Sequence, residues 1–131
     1  MQISENFTLE EFLISDRHPE IDNVPSAEQR SNLVALIVNV LQPLRTLYNQ
    51  PMKINSGYRS TELNKAVGGA PTSQHAKGQA ADIACSNPQL LLDLMRLNNI
   101  EFDQVGLYEN FIHISYRKNG GNRRQVFRGK Y

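Results

Sequence analysis

Phe102-Asp103-Gln104-Val105-Gly106-Leu107-Tyr108-Glu109-Asn110-Phe111-Ile112-His113-Ile114-Ser115-Tyr116 is the stretch that decides the fold. Two strand-like runs, Phe102 to Tyr108 and Phe111 to Tyr116, flank a Glu-Asn turn, which is the spacing of a β-hairpin. Upstream lies the longest helical pattern: Leu33, Leu36, Ile37, Val40, Leu41, Leu44, Leu47 and Tyr48 recur at three- and four-residue spacing, the stripe of a helix buried on one side. Ser26-Ala27-Glu28-Gln29 before it has the form of a capping box, and Pro43 inside it predicts a kink or break near Val40. An earlier box, Thr8-Leu9-Glu10-Glu11 with Phe7 and Phe12 as a hydrophobic staple, predicts a short opening helix. Between these anchors we expect a strand over Met52 to Asn55, a turn at Ser56 to Ser60, a helix from about Thr61 to Val67, a loop from Thr72 to Gln79 and a strand over Ala80 to Ala84. A helix starting at Pro88 should turn Leu91, Leu92, Leu94, Met95 and Leu97 to the core, and Gln125 to Arg128 should add an edge strand. Helices first and antiparallel strands late define an α+β domain.

A length of 131 residues supports one hydrophobic core, so residues 1–131 form a single domain. At 40% hydrophobic and 21% charged the chain is ordinary globular protein, and neither disordered nor fibrous. Lys plus Arg 14 against Asp plus Glu 13 leaves +1, too little for a general grip on nucleic acid. One cysteine excludes an internal disulfide framework, a cysteine-rich zinc finger and a CxxC redox pair. The first residues hold no basic segment leading into an apolar run, and no stretch is apolar enough to span a bilayer; we expect synthesis and retention in the cytoplasm, without membrane contact.

Any transition-metal site must then draw on His18, His75, His113 and carboxylates. His75 lies in a glycine-containing loop, and Asp82 follows on a strand where alternation places it with the small residues Ala80 and Ala84, opposite Ile83. In Phe111 to Ser115, Ile112 and Ile114 take the apolar face and force His113 onto the other. Two histidines and a carboxylate make a common ligand set for catalytic zinc. A solvated loop histidine and a hydrogen-bonded strand histidine fit the same spacing, since no HExxH-type motif is present. His18, beside Pro19, reads as solvated; Cys85 reads as a small buried hydrophobe; and the basic tail of Arg123, Arg124, Arg128 and Lys130 reads as a solvated face.

Ser56-Gly57-Tyr58-Arg59-Ser60 with Leu63-Asn64, then Ser73-x-His75-x-x-Gly78-x-Ala80-x-Asp82, then a late strand histidine, resemble the zinc D-alanyl-D-alanine carboxypeptidase family, particularly its short phage and prophage peptidoglycan peptidases. The resemblance runs from about Phe7 to the region of Arg123. It implies the hedgehog/DD-peptidase type of α+β fold, with an antiparallel sheet packed with helices. It further implies a zinc held by His75, Asp82 and His113, and hydrolysis of an amide in a cell-wall peptide. Zinc in such a site brings the pKa of water towards about 7 and polarises the scissile carbonyl. Arg59 would meet a peptide carboxylate or the developing oxyanion, Ser73 would hydrogen-bond substrate and Tyr58 would line the pocket.

A general base is also needed. The family commonly places Asp or Glu three residues before the last histidine, and this chain has Asn110 there. Glu109, one residue earlier, shares a strand face with His113 and is the favoured base; Asp103 is the other candidate. The missing acid leaves a second reading open, a zinc-bound wall-binding module without activity. The phage-type kinship implies release to the wall at lysis, a peptidoglycan peptide as the partner, and no role for nucleic acid.

Overall fold

The computed structural model describes residues 1–15 and 17–129. Ser26 caps the first helix, α1 (Ala27–Leu36), with the reciprocal Ser26 and Gln29 bonds of a full capping box. One π-helical turn, Ile37–Leu41, connects α1 to α2 (Gln42–Tyr48) without an interruption. The cause is Pro43, whose ring crowds the carbonyl four residues back, so the turn widens and the Gln42 N–H reaches Ile37 O instead. The sequence places this irregularity correctly near Val40. Leu33, Leu36, Ile37, Val40, Leu41 and Leu44 of the stripe are fully buried, whereas Leu47 is largely exposed, where the stripe passes the edge of the core.

The other elements are β1 (Lys53–Ser56), α3 (Thr61–Ala66), β2 (Ala80–Ala84), α4 (Pro88–Leu97), β3 (Gln104–Leu107), β4 (Phe111–Ser115) and β5 (Gln125–Arg128). They form a five-stranded sheet in the order β1-β2-β4-β3-β5. One face of that sheet, carrying Ala81, Ile83, Val105, Leu107, Ile112 and Ile114, joins the core with α1, α2 and α4. The opposite face carries Asp82 and His113 and, among the described residues, the short 3-10 turn at Gln74–Lys77 packs beside it.

Four expectations are corrected. The opening segment is not a capped α-helix but one 3-10 turn, Glu10–Phe12, with Leu9 at the N-cap; the Glu11 carboxylate still accepts from Thr8 N at 2.6 Å, and the Phe7 and Phe12 rings still pack at 5.9 Å. Its course is set by Phe12, whose carbonyl accepts the Tyr58 N–H at 2.8 Å. The loop over Thr72 to Gln79 contains a 3-10 turn, Gln74–Lys77, capped by Ser73. Leu97 is 80% exposed, because it falls on the side of α4 opposite Leu91, Leu92 and Met95. The sheet is not wholly antiparallel: β5 runs parallel to β3. Both sides of β4 are already taken by β2 and β3, so a strand returning after β4 adds beyond β3 and runs in its direction. Among the described residues no helix is long and apolar enough to cross a membrane.

Candidate metal centre

Asp82 and His113 are paired residues on β2 and β4, and His113 faces Gly106 on β3. The His113 Nδ1–H donates to Asp82 Oδ1 at 2.8 Å, and His75 Nε2 lies 3.4 Å from the same oxygen. His75 arrives from the capped 3-10 turn, and its Nδ1–H donates to the Gly57 carbonyl at 2.8 Å, which leaves Nε2 directed at the cluster. One donor atom from each of His75, Asp82 and His113 lies within 4.8 Å of the other two. These are the three residues that the sequence pattern proposes, and they suit zinc: two imidazoles and a carboxylate, one imidazole already oriented by a carbonyl behind it. Burial pushes the Asp82 carboxyl up, but hydrogen bonds and positive charge from His113 and His75 outweigh it and hold the group well below the usual carboxylate range.

The turn after β1 supplies the cation. Arg59 Nε donates to Ser56 Oγ at 3.1 Å and Nη1 to Asn64 Oδ1 at 3.2 Å, with Nη2 3.6 Å from Asp82 Oδ2. Buried Asn64 is itself held by its amide donation to the Ala70 carbonyl at 2.8 Å. A Cβ on Gly69 would stand 2.0 Å from Asn64 Oδ1 and 2.9 Å from Arg59 Nη1, so glycine is the residue that fits beside this clamp. Asn23 buttresses the turn from outside, donating to the Tyr58 and Leu13 carbonyls and accepting from Ser60 N. Helix α1 secures the histidine loop in the same way: Gln29 and Asn32 donate to the Ala76 and Lys77 carbonyls.

A cleft of about 560 Å³ opens beside the cluster and is lined by Arg59, Ser73, Gln74, His113, Arg117 and Arg123, among others. Ser73 accepts the His75 N–H at 3.2 Å, which leaves its own O–H free to donate into the cleft. Tyr58 does not reach it. Its side chain is buried in the core and edges an adjoining cleft with Ile14, Arg17 and Leu63, which meets the first at Arg59 and Gly69, because its backbone is tied to Phe12 and Asn23. Burial pushes the Tyr58 phenol up from its ordinary pKa.

Neither candidate base faces the cluster. Glu109 sits exposed in the hairpin turn, four residues from His113 or about 13 Å along a strand, against a cleft lined by Asn87, Gln89 and Arg128. The hairpin is regular, but its strand begins only at Phe111, so the alternation that would carry Glu109 towards His113 does not extend that far. Asp103 is fully buried, with its oxygens taken by Arg123, Gln74 and Arg117. The basic tail is accordingly not all solvated: Arg123 forks onto Asp103 and Arg128 reaches Gln89, while Lys130 lies outside the described residues. His18 stands apart beside Glu20, and Cys85 packs half-buried against the core.

The residues to which the sequence pattern gives no role are Asn23, Gly69 and Gln74. Asn64 belongs to the Leu63-Asn64 motif, which was its only signal.

Asp82 and His113 on the open face of the sheet, with His75 brought to them by its 3-10 turn and a guanidinium fixed alongside, form a donor set that suits a single zinc ion. The chain belongs to the peptidase M15 family, whose model matches residues 5–115. It is similar to the zinc D-Ala-D-Ala carboxypeptidase of Streptomyces albus G, at 29% identity over 82 residues, 63% of this chain and 32% of that protein. The chain therefore matches about a third of the length of that curated relative.

Proposed function

We propose that this protein is a zinc peptidase that hydrolyses an amide bond in peptidoglycan peptides, of the D-alanine carboxypeptidase or endopeptidase type. The observation that carries the reading is the convergence of His75, Asp82 and His113 within 4.8 Å beside the fixed Arg59 guanidinium. Family membership and the named activity of the Streptomyces relative support it.

Zinc held by these three residues supplies Lewis-acid chemistry, acidifying water and polarising a carbonyl. The chain's own residues bind and orient the substrate. Arg59, already held on two sides, presents charge to a peptide carboxylate or to the oxygen that gains charge during attack, with little reorganisation. Ser73 donates its hydroxyl proton to a substrate carbonyl across the cleft. Gly57 keeps the His75 ring in one tautomer.

The position of Glu109 and Asp103 away from the cluster favours one second reading, a zinc-bound module that binds wall peptide without cleaving it. Purified zinc-loaded protein incubated with isolated sacculi separates the two. Release of alanine or of new peptide amino termini is expected. Tight sacculus binding with no release between pH 5 and 9 would overturn the peptidase.

A further inference from the structure

The whole chain carries a formal charge of only +1, yet the cleft beside the metal centre is lined by Arg59, Lys77, Arg117 and Arg123. Asp82 and Asp103 offset two of these four, so the cleft stays positive before any metal is counted. The sheet order explains how the cations are spaced. Arg59 leaves β1 and Arg123 enters β5 on opposite edges, at the same end of the sheet, with Asp82 and His113 between them. A peptide lying across that end would meet a cation on each side of the cluster.

The cations on the β5 side are held in place. Asp103 Oδ1 accepts from Arg123 N and Nε at 3.0 Å, Oδ2 accepts from Arg123 Nη2 at 2.8 Å, and Arg117 Nε lies 3.3 Å from Oδ2. One buried carboxylate thus anchors two guanidinium groups whose outer faces border the cleft. Gln74 completes the arrangement. Its Nε2 donates to Asp103 Oδ2 at 2.9 Å, which orients the amide, since a carboxylate can only accept. The other end, Gln74 Oε1, is buried without a hydrogen-bond partner among the described residues, and Gln74 lines the same cleft.

We propose that Arg117 and Arg123, fixed by Asp103, form a second carboxylate subsite, so that the preferred substrate is an acidic peptide whose carboxylate pairs there. This rests on the peptidase reading for the identity of the ligand as a peptide. Arg59 and the Arg117–Arg123 pair then grip the chain on either side of the bond to be cut, which sets the register of the substrate over the metal centre.

The test compares two N-acetyl peptides that end in D-alanyl-D-alanine and differ only in carrying glutamate or glutamine upstream, each with a reduced CH2–NH bond replacing the scissile amide. Binding to the zinc-loaded protein is measured by calorimetry at low and high salt. The glutamate peptide is expected to bind about tenfold more tightly at low salt, with the advantage shrinking as salt rises. Arg117→Gln should cut that advantage to about threefold or less, as should Arg123→Gln, which leaves Asp103 still paired with Arg117 and Gln74. Equal binding of the two peptides to wild type, or an advantage undiminished in both variants, would overturn the subsite. Hydrolysis of the unmodified peptides is scored separately: carboxylate-dependent binding without hydrolysis overturns the peptidase reading alone, and hydrolysis without discrimination overturns the subsite alone.

Discussion

Asp82 and His113 face each other across β2 and β4, with Oδ1 and Nδ1 2.8 Å apart, at the one register position where His75 Nε2 also comes within 3.4 Å of that carboxylate. Their separation is set by backbone pairing, so the donor set is rigid before it meets a metal. Strand pairing also places both residues opposite the apolar face that holds the core.

That rigidity predicts how the metal is lost. Asp82→Asn and His113→Ala should each lower bound zinc at least about tenfold, measured by elemental analysis after gel filtration. Chelation of the wild type should abolish hydrolysis while leaving helical circular dichroism and a cooperative melt intact, because the core of α1, α2, α4 and the sheet does not pass through the site. A chelated protein that unfolds would contradict this separation.

Glu109→Gln should keep zinc and keep kcat/KM within about twofold of wild type, since this exposed turn residue lies outside β4 and lines a different cleft from His113. A fall of a hundredfold in single-turnover rate would restore Glu109 as the base.

Gly69→Ala should leave zinc content unchanged and lower kcat by roughly ten- to a hundredfold. The added methyl would lie 2.0 Å from Asn64 Oδ1 and 2.9 Å from Arg59 Nη1, so the Asn64 amide must turn away and the guanidinium loses that side of its clamp. Steady-state kinetics beside elemental analysis checks it; equal loss of zinc and turnover would mean that the damage spread to the metal ligands.

The Asp103 carboxyl is lowered from 3.8 to about 2, chiefly by the hydrogen bond from Arg123, against the opposing effect of burial. A depressed folded-state value means stability present above about pH 4 and lost as pH falls through about 2. The contribution is about 1–2 kcal/mol, with Arg123 partly in water. Asp103→Asn should therefore lower stability at pH 6 and flatten the acid limb of the stability curve between pH 4 and 2. Urea melts across that range measure both effects; an unchanged acid limb would show that other carboxylates govern it.

Much of this structure is written locally. The Ser26–Gln29 capping box, the β2 strand, the turn of the hairpin and the disturbance before Pro43 each depend on residues within a few positions of one another. Alternation alone put Asp82 and His113 on faces away from Ile83 and from Ile112 and Ile114, and the loop motif added His75. Those patterns sufficed for the α+β class and made the three residues candidates; the family resemblance joined them into one donor set.

What tertiary structure decided is everything that depends on strand order and on which loop meets which. Local pattern could not show that β5 joins parallel beyond β3, because that follows from both edges of β4 being occupied. It turned Tyr58 into the core, since the Phe12 carbonyl takes the Tyr58 N–H at 2.8 Å, and it left Glu109 in a turn beyond the reach of strand alternation. It also joined Gln74, Asp103, Arg117 and Arg123, residues from three separate segments, into one charged wall beside the metal centre. Short-range periodicity specifies which face a side chain takes; only the paired sheet specifies which other side chains share that face with it.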